Sequence, residues 1–273
     1  MLPYQLAGSG SPLLLVHGWG ITYTVWRSLI PLLAPHFQLI MVELPGMGAA
    51  SEVAPDKSYY PACAEALEEL RMALGIERWA ILAYSTGTRA SEAYMQRYSQ
   101  HVTHAVFLCP IYLRGSWKLA LEAEQWIDSK HFRLANWFFS DWRLYGLLLT
   151  LGFNLQRRDF ANEWMSEIAL QPLNNLKRML LELPGKGRAP FTLPTSPLVP
   201  ILFIWGSRDA LTARPRRPRP NDVFIFANHG APVLAPHSVA AAVLPFLKDG
   251  VVLEKKIKKR GKRDRLIQTG NSA

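Results

Sequence analysis

Residues 79–87 read WAILAYSTG, an apolar run that leads directly into a serine with small residues around it. The run has the length and composition of a buried strand. A serine at its end, with a helix leaving at once, occupies a turn tight enough to strain the backbone and lift the hydroxyl above the sheet. Small residues two before and two after the serine let neighbouring chains pass, and here they are Ala83 and Gly87. Alone, Ser85 is explained as well by a cap on the helix expected from Thr86 to Tyr98. The flanking sequence decides between the two.

Upstream, Leu13 to Val16 is a second buried-strand signal that ends in the glycine-rich His17-Gly18-Trp19-Gly20. Val25 to Leu33 is expected as a short helix anchored by Trp26, Phe37 to Val42 as a strand, and Tyr60 to Leu74 as a helix stopped by Gly75. Strands separated by helix-length connections pair in parallel, so the expected fold class is α/β with a doubly wound, mostly parallel sheet. Downstream, Ala105 to Cys109 is one more strand. Residues 111 to 196 then show amphipathic helical stretches rich in Trp and Phe with no convincing strand, as in a helical cap inserted into the sheet. The strand pattern returns at Ile201 to Trp205 and Val223 to Phe226, and Ser238 to Leu247 is the closing helix. The expected organisation is therefore residues 1–110 and 197–247 as two parts of one core, 111–196 as the cap, and 248–273 as a basic tail.

Composition narrows the function classes. The chain has 273 residues, 49% apolar and 19% charged, enough for one large core. Residues 1–12 lack the basic start and long apolar run of a secretion signal, which makes the cytoplasm the expected compartment. No transmembrane segment is expected, because no apolar stretch reaches the roughly 18 residues that a spanning helix needs. Cys63 and Cys109 form neither a disulfide framework nor a metal-ligand spacing and are expected as buried thiols. The net charge of +10 is concentrated in Arg214 to Arg219 and in Lys248 to Arg265. Without aromatic interleaving, that charge gives no reason to expect a nucleic-acid partner.

The chemistry-bearing residues fall where a parallel sheet gathers its functional groups, just beyond the carboxyl ends of strands. Ser85 follows one strand, Asp209 the next-to-last and His229 the last, in the chain order Ser, Asp, His. A serine hydroxyl near neutral pH needs a base to take its proton, and that base needs a partner to hold its tautomer. His229 suits the first role and Asp209 the second, with His237 in reserve as base and His17 read as structural. The backbone amides of Trp19 and Thr86 are the expected oxyanion-hole donors.

These segments together, HGWG at 17–20, ELPGMG at 43–48, AYSTG at 83–87, GSRDALT at 206–212 and NHGAPVLAPHS at 228–238, resemble the α/β-hydrolase superfamily. Within it, HGWG followed by Val25-Trp26, the ELPGMG segment and the GSRDAL segment are most similar to the carboxylesterases of biotin synthesis, the pimeloyl-acyl-carrier-protein methyl ester esterases. The resemblance implies an α/β-hydrolase fold with an inserted cap and a serine esterase that uses no cofactor or metal. It also implies a methyl ester substrate on an acyl chain borne by an acyl carrier protein. The same triad serves thioesterases, lipase-like enzymes and carbon–carbon bond hydrolases, and a silent binding protein on this fold is the alternative from another class. Four features depart from the family pattern: Glu43 for aspartate, Ala83 for glycine, an extra residue between His229 and Pro232, and the proline-rich Arg214 to Pro220 where a helix is usual. In the insert, Arg133, Arg143, Arg157, Arg158, Lys177 and Arg178 offer a landing place for an acidic carrier. Eight acidic residues in the same insert offset much of that charge, which favours solvated faces.

Overall fold

The apolar runs form seven strands: β1 (Tyr4–Ala7), β2 (Ser11–Val16), β3 (Phe37–Val42), β4 (Trp79–Tyr84), β5 (Val102–Leu108), β6 (Ile201–Gly206) and β7 (Asp222–Ile225). They make one sheet in the order β1-β3-β2-β4-β5-β6-β7 in a computed structural model that describes residues 1–111, 158–183 and 199–249. All neighbours pair in parallel except β1, which runs antiparallel to β3. Every residue of β4 is buried, as are Leu13 to Val16 of β2, so these strands are apolar on both faces, as the centre of a covered parallel sheet requires. Trp26, Trp79 and Trp205 are among the largest fully buried side chains.

The described helices are α1 (Ile30–Leu33), α2 (Tyr59–Ala73), α3 (Gly87–Tyr98), α4 (Arg158–Leu170), α5 (Leu173–Leu181), α6 (Ala231–Leu234) and α7 (Pro236–Asp249). Helix α2 buries Ala64, Leu67 and Leu70, and it ends because Gly75 adopts φ +64°. The Gly75 amide then donates to Met72 O at 3.0 Å and the Ile76 amide to Arg71 O at 3.1 Å, which satisfies the last carbonyls. Strand order reverses at β2, whose two neighbours are β3 and β4. Right-handed crossovers then send α1 to one face and α2 and α3 to the other; accordingly α1 packs with α7, and α2 with α3.

Two expectations need correction. The helix expected over Val25–Leu33 is a 3-10 turn (Tyr23–Trp26) followed by the single turn α1. Pro31 has no amide to donate and fits only a first turn, so the helix cannot run through it from Val25. The antiparallel strand β1 was not expected, since its four residues carry little apolar signal. Of the insert expected over 111–196, residues 112–157 and 184–198 lie outside the described residues, as do residues 250–273 of the tail. No helix among the described residues is long and apolar enough to cross a membrane.

Candidate active site

The point where strand order reverses is where an open parallel sheet leaves a crevice at its carboxyl edge. The register places Val16 opposite Ala83, so the HGWG loop after β2 and the serine after β4 leave the sheet side by side. Ser85 has φ +53°, a left-handed conformation that a β-substituted residue adopts only when its surroundings impose it. Its amide donates to Leu108 O at 3.1 Å, and the Thr88 hydroxyl donates to its carbonyl at 2.6 Å. Helix α3 starts two residues later. At Gly87 a Cβ would lie 2.2 Å from the His17 carbonyl oxygen, so only glycine lets the elbow and the HGWG loop approach this closely. Ala83 needs no glycine-like freedom: it lies inside β4, fully buried between Val16 and Phe107.

The three sequence-selected side chains meet. His229 Nε2 is 2.8 Å from Ser85 Oγ, and His229 Nδ1 is 2.8 Å from Asp209 Oδ2. Asp209 is fully buried, His229 is 2% exposed and Ser85 5%, so these contacts act in a low effective dielectric. The Asp209 carboxylate also accepts the Thr212 hydroxyl on Oδ2 at 2.9 Å and the amides of Leu211 and Thr212 on Oδ1 at 2.9 and 3.2 Å. Burial alone would push its carboxyl upward. His229, Thr212 and Leu211 outweigh that effect and hold it below its ordinary value, hence ionised. The Arg-Pro stretch 214–220 forms no helix, yet the turn that carries Asp209 is anchored by the amides of Ser207, Arg208 and Asp209, which donate to Ile225 O, Ala227 O and Gly206 O.

Two supports here were not singled out from the sequence. Tyr84 donates its hydroxyl to the His229 carbonyl at 2.8 Å and lays its ring 5.3 Å from the imidazole, which fixes the loop that carries His229. Thr212 does the same for Asp209. The Asp-x-x-Thr spacing of a side-chain-bonded turn was a readable signal for Thr212; nothing local signals a Tyr84 contact 145 residues away. His237 is exposed at the start of α7 and takes no part.

His17 stands between the two loops. Its Nδ1–H donates to Gly18 O at 2.8 Å, and its Nε2 accepts the Leu44 amide at 2.9 Å. That pattern needs a neutral ring, and complete burial, partly offset by the Gly18 bond, lowers its pKa to about 4. Glu43 Oε2 accepts the Ala49 amide at 2.7 Å, so the longer acid closes the turn around Pro45.

The described part of the insert grips these same loops. Glu167 of α4 accepts the Thr22 amide at 3.0 Å and the hydroxyls of Thr22 and Thr24. From α5, Leu176 O accepts Trp19 Nε1–H at 2.9 Å, Met179 O accepts the Tyr60 hydroxyl at 2.5 Å, and Asn175 donates to Pro45 O at 3.2 Å. Arg178 pairs with Glu182 at 3.0 Å and donates to Val53 O at 2.7 Å, so it fastens α5 to the core. Arg133, Arg143 and Arg157 lie outside the described residues.

Comparison with known proteins agrees with this fold. A family model described as alpha/beta hydrolase fold matches residues 11–219. Over 55 residues, 20% of this chain and 22% of the relative, the sequence is 42% identical to the pimeloyl-[acyl-carrier protein] methyl ester esterase of Photobacterium profundum. The corresponding esterase of Legionella pneumophila is 51% identical over 41 residues, 15% of this chain and 17% of the relative. The chain thus matches about a fifth of the length of these curated relatives. A thermophilic esterase from Thermogutta terrifontis has a similar structure, with a TM-score of 0.70 and 20% identity over 90% of this chain and 92% of that one. At that identity the likeness speaks to the fold. With the family match spanning most of its length, the chain belongs to the α/β-hydrolase family.

Proposed function

We propose that this protein is a serine carboxylic-ester hydrolase that works through an acyl-enzyme, with Ser85 as nucleophile, His229 as general base and acid, and Asp209 as the group that orders His229. The observation that carries the reading is the continuous Asp209–His229–Ser85 chain, 2.8 Å at each step, that ends on a serine in left-handed backbone geometry. In the first step Ser85 Oγ bonds to the ester carbonyl carbon while its proton passes to His229 Nε2. Collapse of the tetrahedral species breaks the carbon–oxygen bond to the alcohol, which takes that proton from His229. Water, deprotonated by the same imidazole, then releases the acid. Asp209 stabilises imidazolium in both steps, and the amides of Trp19 and Thr86 receive the developing oxyanion.

The preferred substrate under this reading is an apolar acyl ester, specifically a pimeloyl methyl ester on an acyl carrier protein. Its support is the named relatives and the resemblance carried by the HGWG, ELPGMG and GSRDAL segments. Helices α4 and α5, which grip the loops beside the site, serve as part of its cap, and the enzyme works in the cytoplasm. Complementation tests the reading: expression in a strain that lacks the biotin-pathway esterase restores growth without biotin, and the Ser85→Ala variant does not. Growth with both variants, or with neither, refutes the specific assignment.

A further inference from the structure

The segment Arg214-Pro215-Arg216-Arg217-Pro218-Arg219-Pro220 joins β6 to β7 and has no part in the chemistry described above. Residues 208–222 contain five arginines and two aspartates, and both aspartates are already engaged. Asp209 holds His229. Asp222 accepts the Arg219 amide at 2.7 Å, the Arg219 guanidinium at 2.9 Å and Trp205 Nε1–H at 2.8 Å. Arg219 therefore anchors the far end of the segment, with its guanidinium also 4.0 Å from the centre of the Phe203 ring, and Thr212 anchors the near end through Asp209. Between these anchors Arg214, Arg216 and Arg217 are exposed and make no ion pair among the described residues. Pro215 and Pro218 fix φ and have no amide hydrogen, so the stretch stays stiff and open and loses little conformational freedom when a partner docks on it.

A second pair of residues extends this positive surface to the candidate site. Arg208 is exposed and directly precedes Asp209, and Phe226, 73% exposed, lies three residues before His229. The Arg208 guanidinium is 4.1 Å from the centre of the Phe226 ring, and the Arg208 amide donates to Ala227 O at 2.9 Å. Stacking of this kind steadies the planar guanidinium and leaves its in-plane N–H groups for a carboxylate. Both residues follow the carboxyl ends of the outer strands β6 and β7. Arg214, five residues beyond Asp209, stays within about 18 Å of it even at full extension. Helices α4 and α5 fasten to the loops after β2 and β3, on the other side of β4 in the strand order. Along the sheet, Ser85 therefore stands between those helices and the arginine surface.

An exposed aromatic ring among arginines that lack acidic partners has the composition of a protein-docking surface: the ring supplies apolar contact, and the arginines select negative charge. A lipid surface fits less well, because Phe226 is the single large apolar side chain exposed over residues 208–226, too little to enter a bilayer. Nucleic acid would need open rings on which bases stack, and Phe226 already carries Arg208 on its face. The complement is a folded protein with clustered carboxylates. The acidic carrier of the proposed substrate has that chemistry, and it must deliver its acyl chain to this edge of the sheet. Arg178, one of the insert's cations, is instead tied to Glu182 and Val53 O.

We propose that Arg208, Arg214, Arg216, Arg217 and Phe226 form the docking surface for an acidic carrier protein, whose carboxylates meet the arginines while an apolar side chain covers Phe226. The proposal rests on the reading of the substrate as a carrier-borne ester, and two substrates separate the two: pimeloyl methyl ester on acyl carrier protein, and p-nitrophenyl butyrate, which has no carrier. The full-length variant that combines Arg214→Glu, Arg216→Glu and Arg217→Glu should lose about tenfold or more in kcat/KM for the carrier ester, through KM, with kcat within about twofold. Its hydrolysis of p-nitrophenyl butyrate should stay within about twofold of wild type, which also shows that it is folded. Added salt should lower wild-type kcat/KM for the carrier ester and should not lower that of the variant. Lysine at the same three positions keeps the charge and should retain most of the wild-type value, and Phe226→Ser should raise KM for the carrier ester alone. An unchanged KM for the carrier ester in the glutamate variant, or equal losses on both substrates, overturns the proposal. Binding to phosphatidylglycerol vesicles or to RNA that the glutamate variant abolishes, beside an unchanged carrier KM, assigns the arginines to that partner and likewise overturns it. A wild type that hydrolyses both substrates beside an unaffected glutamate variant removes the docking surface alone; one that hydrolyses p-nitrophenyl butyrate and not the carrier ester removes the carrier reading and this proposal with it.

Discussion

Replacing Thr212 with valine isolates one hydrogen bond on which the acid depends. The Thr212 hydroxyl donates to Asp209 Oδ2 at 2.9 Å, and the same oxygen receives His229 Nδ1 at 2.8 Å. Thr212 and Asp209 are both fully buried, so no water stands ready to replace the hydroxyl. Valine keeps the branched shape and creates almost no cavity, which leaves loss of the donor as the main effect. A hydrogen bond to a charged group contributes about 1.5–3 kcal/mol. The amides of Leu211 and Thr212 still hold Oδ1, so the lower end of that range applies, and about 1.5 kcal/mol corresponds to roughly a tenfold loss in kcat/KM. The assay is steady-state hydrolysis of a short p-nitrophenyl ester, with thermal unfolding in parallel to show that the variant is folded. Thr212→Ser, which restores the hydroxyl, should return most of the activity. A Thr212→Val enzyme with unchanged kcat/KM, or a serine variant no better than valine, would refute the reasoning that the hydroxyl holds Asp209 in place.

Three further outcomes are expected. His17 has a folded pKa of about 4, below the ordinary 6.5, so the unfolded chain binds the additional proton; its contribution to stability is complete above pH 6.5 and is lost as pH falls to 4, a change of roughly 3 kcal/mol. Urea unfolding at steps between pH 7.5 and 4 measures it, and a flat curve across that window contradicts the neutral, doubly bonded ring. Gly87→Ala should cost about 3 kcal/mol, because the new Cβ meets two backbone carbonyls, His17 O at 2.2 Å and Val16 O at 2.6 Å, that cannot move aside without disturbing β2; a native-like melting temperature would show that the elbow is looser than described. Glu167→Ala should release α4 from Thr22 and Thr24 and increase protease cleavage and amide exchange in α4 while the sheet keeps its protection. Unchanged protection in α4 would contradict the clasp.

The candidate site was legible in the sequence because each of its parts follows a short apolar run. WAILAYSTG, ILFIWG before Asp209 and VFIFA before His229 are strand-then-turn signals, and a parallel sheet brings the ends of such strands together whatever lies between them. What escaped reading depends on distance in space. The Tyr84 bond to the His229 backbone and the His17 bond to Leu44 join residues far apart in the chain, and a buried aromatic or histidine looks the same in sequence whether or not it has such a partner. Local rules failed in a different way at Val25–Leu33. The apolar spacing suggested one helix, but Pro31 accepts only a helix start, so the chain makes a 3-10 turn and begins again. Strand β1 was hidden because half of its four residues are exposed and its pairing comes from the edge of β3. The departures at Ala83 and Glu43 have local explanations in the structure, an ordinary strand position and a carboxylate that closes its own turn.

The central claim is that Ser85 is the nucleophile of a competent triad. The most direct measurement is intact-mass analysis of the wild-type protein and the Ser85→Ala variant after incubation with a fluorophosphonate probe, with peptide mapping of any adduct. The account predicts one adduct per wild-type chain, located on Ser85, and none on the alanine variant, which has the same circular dichroism. A wild-type chain that takes up no probe, or an alanine variant that still becomes labelled and still hydrolyses esters, would contradict it.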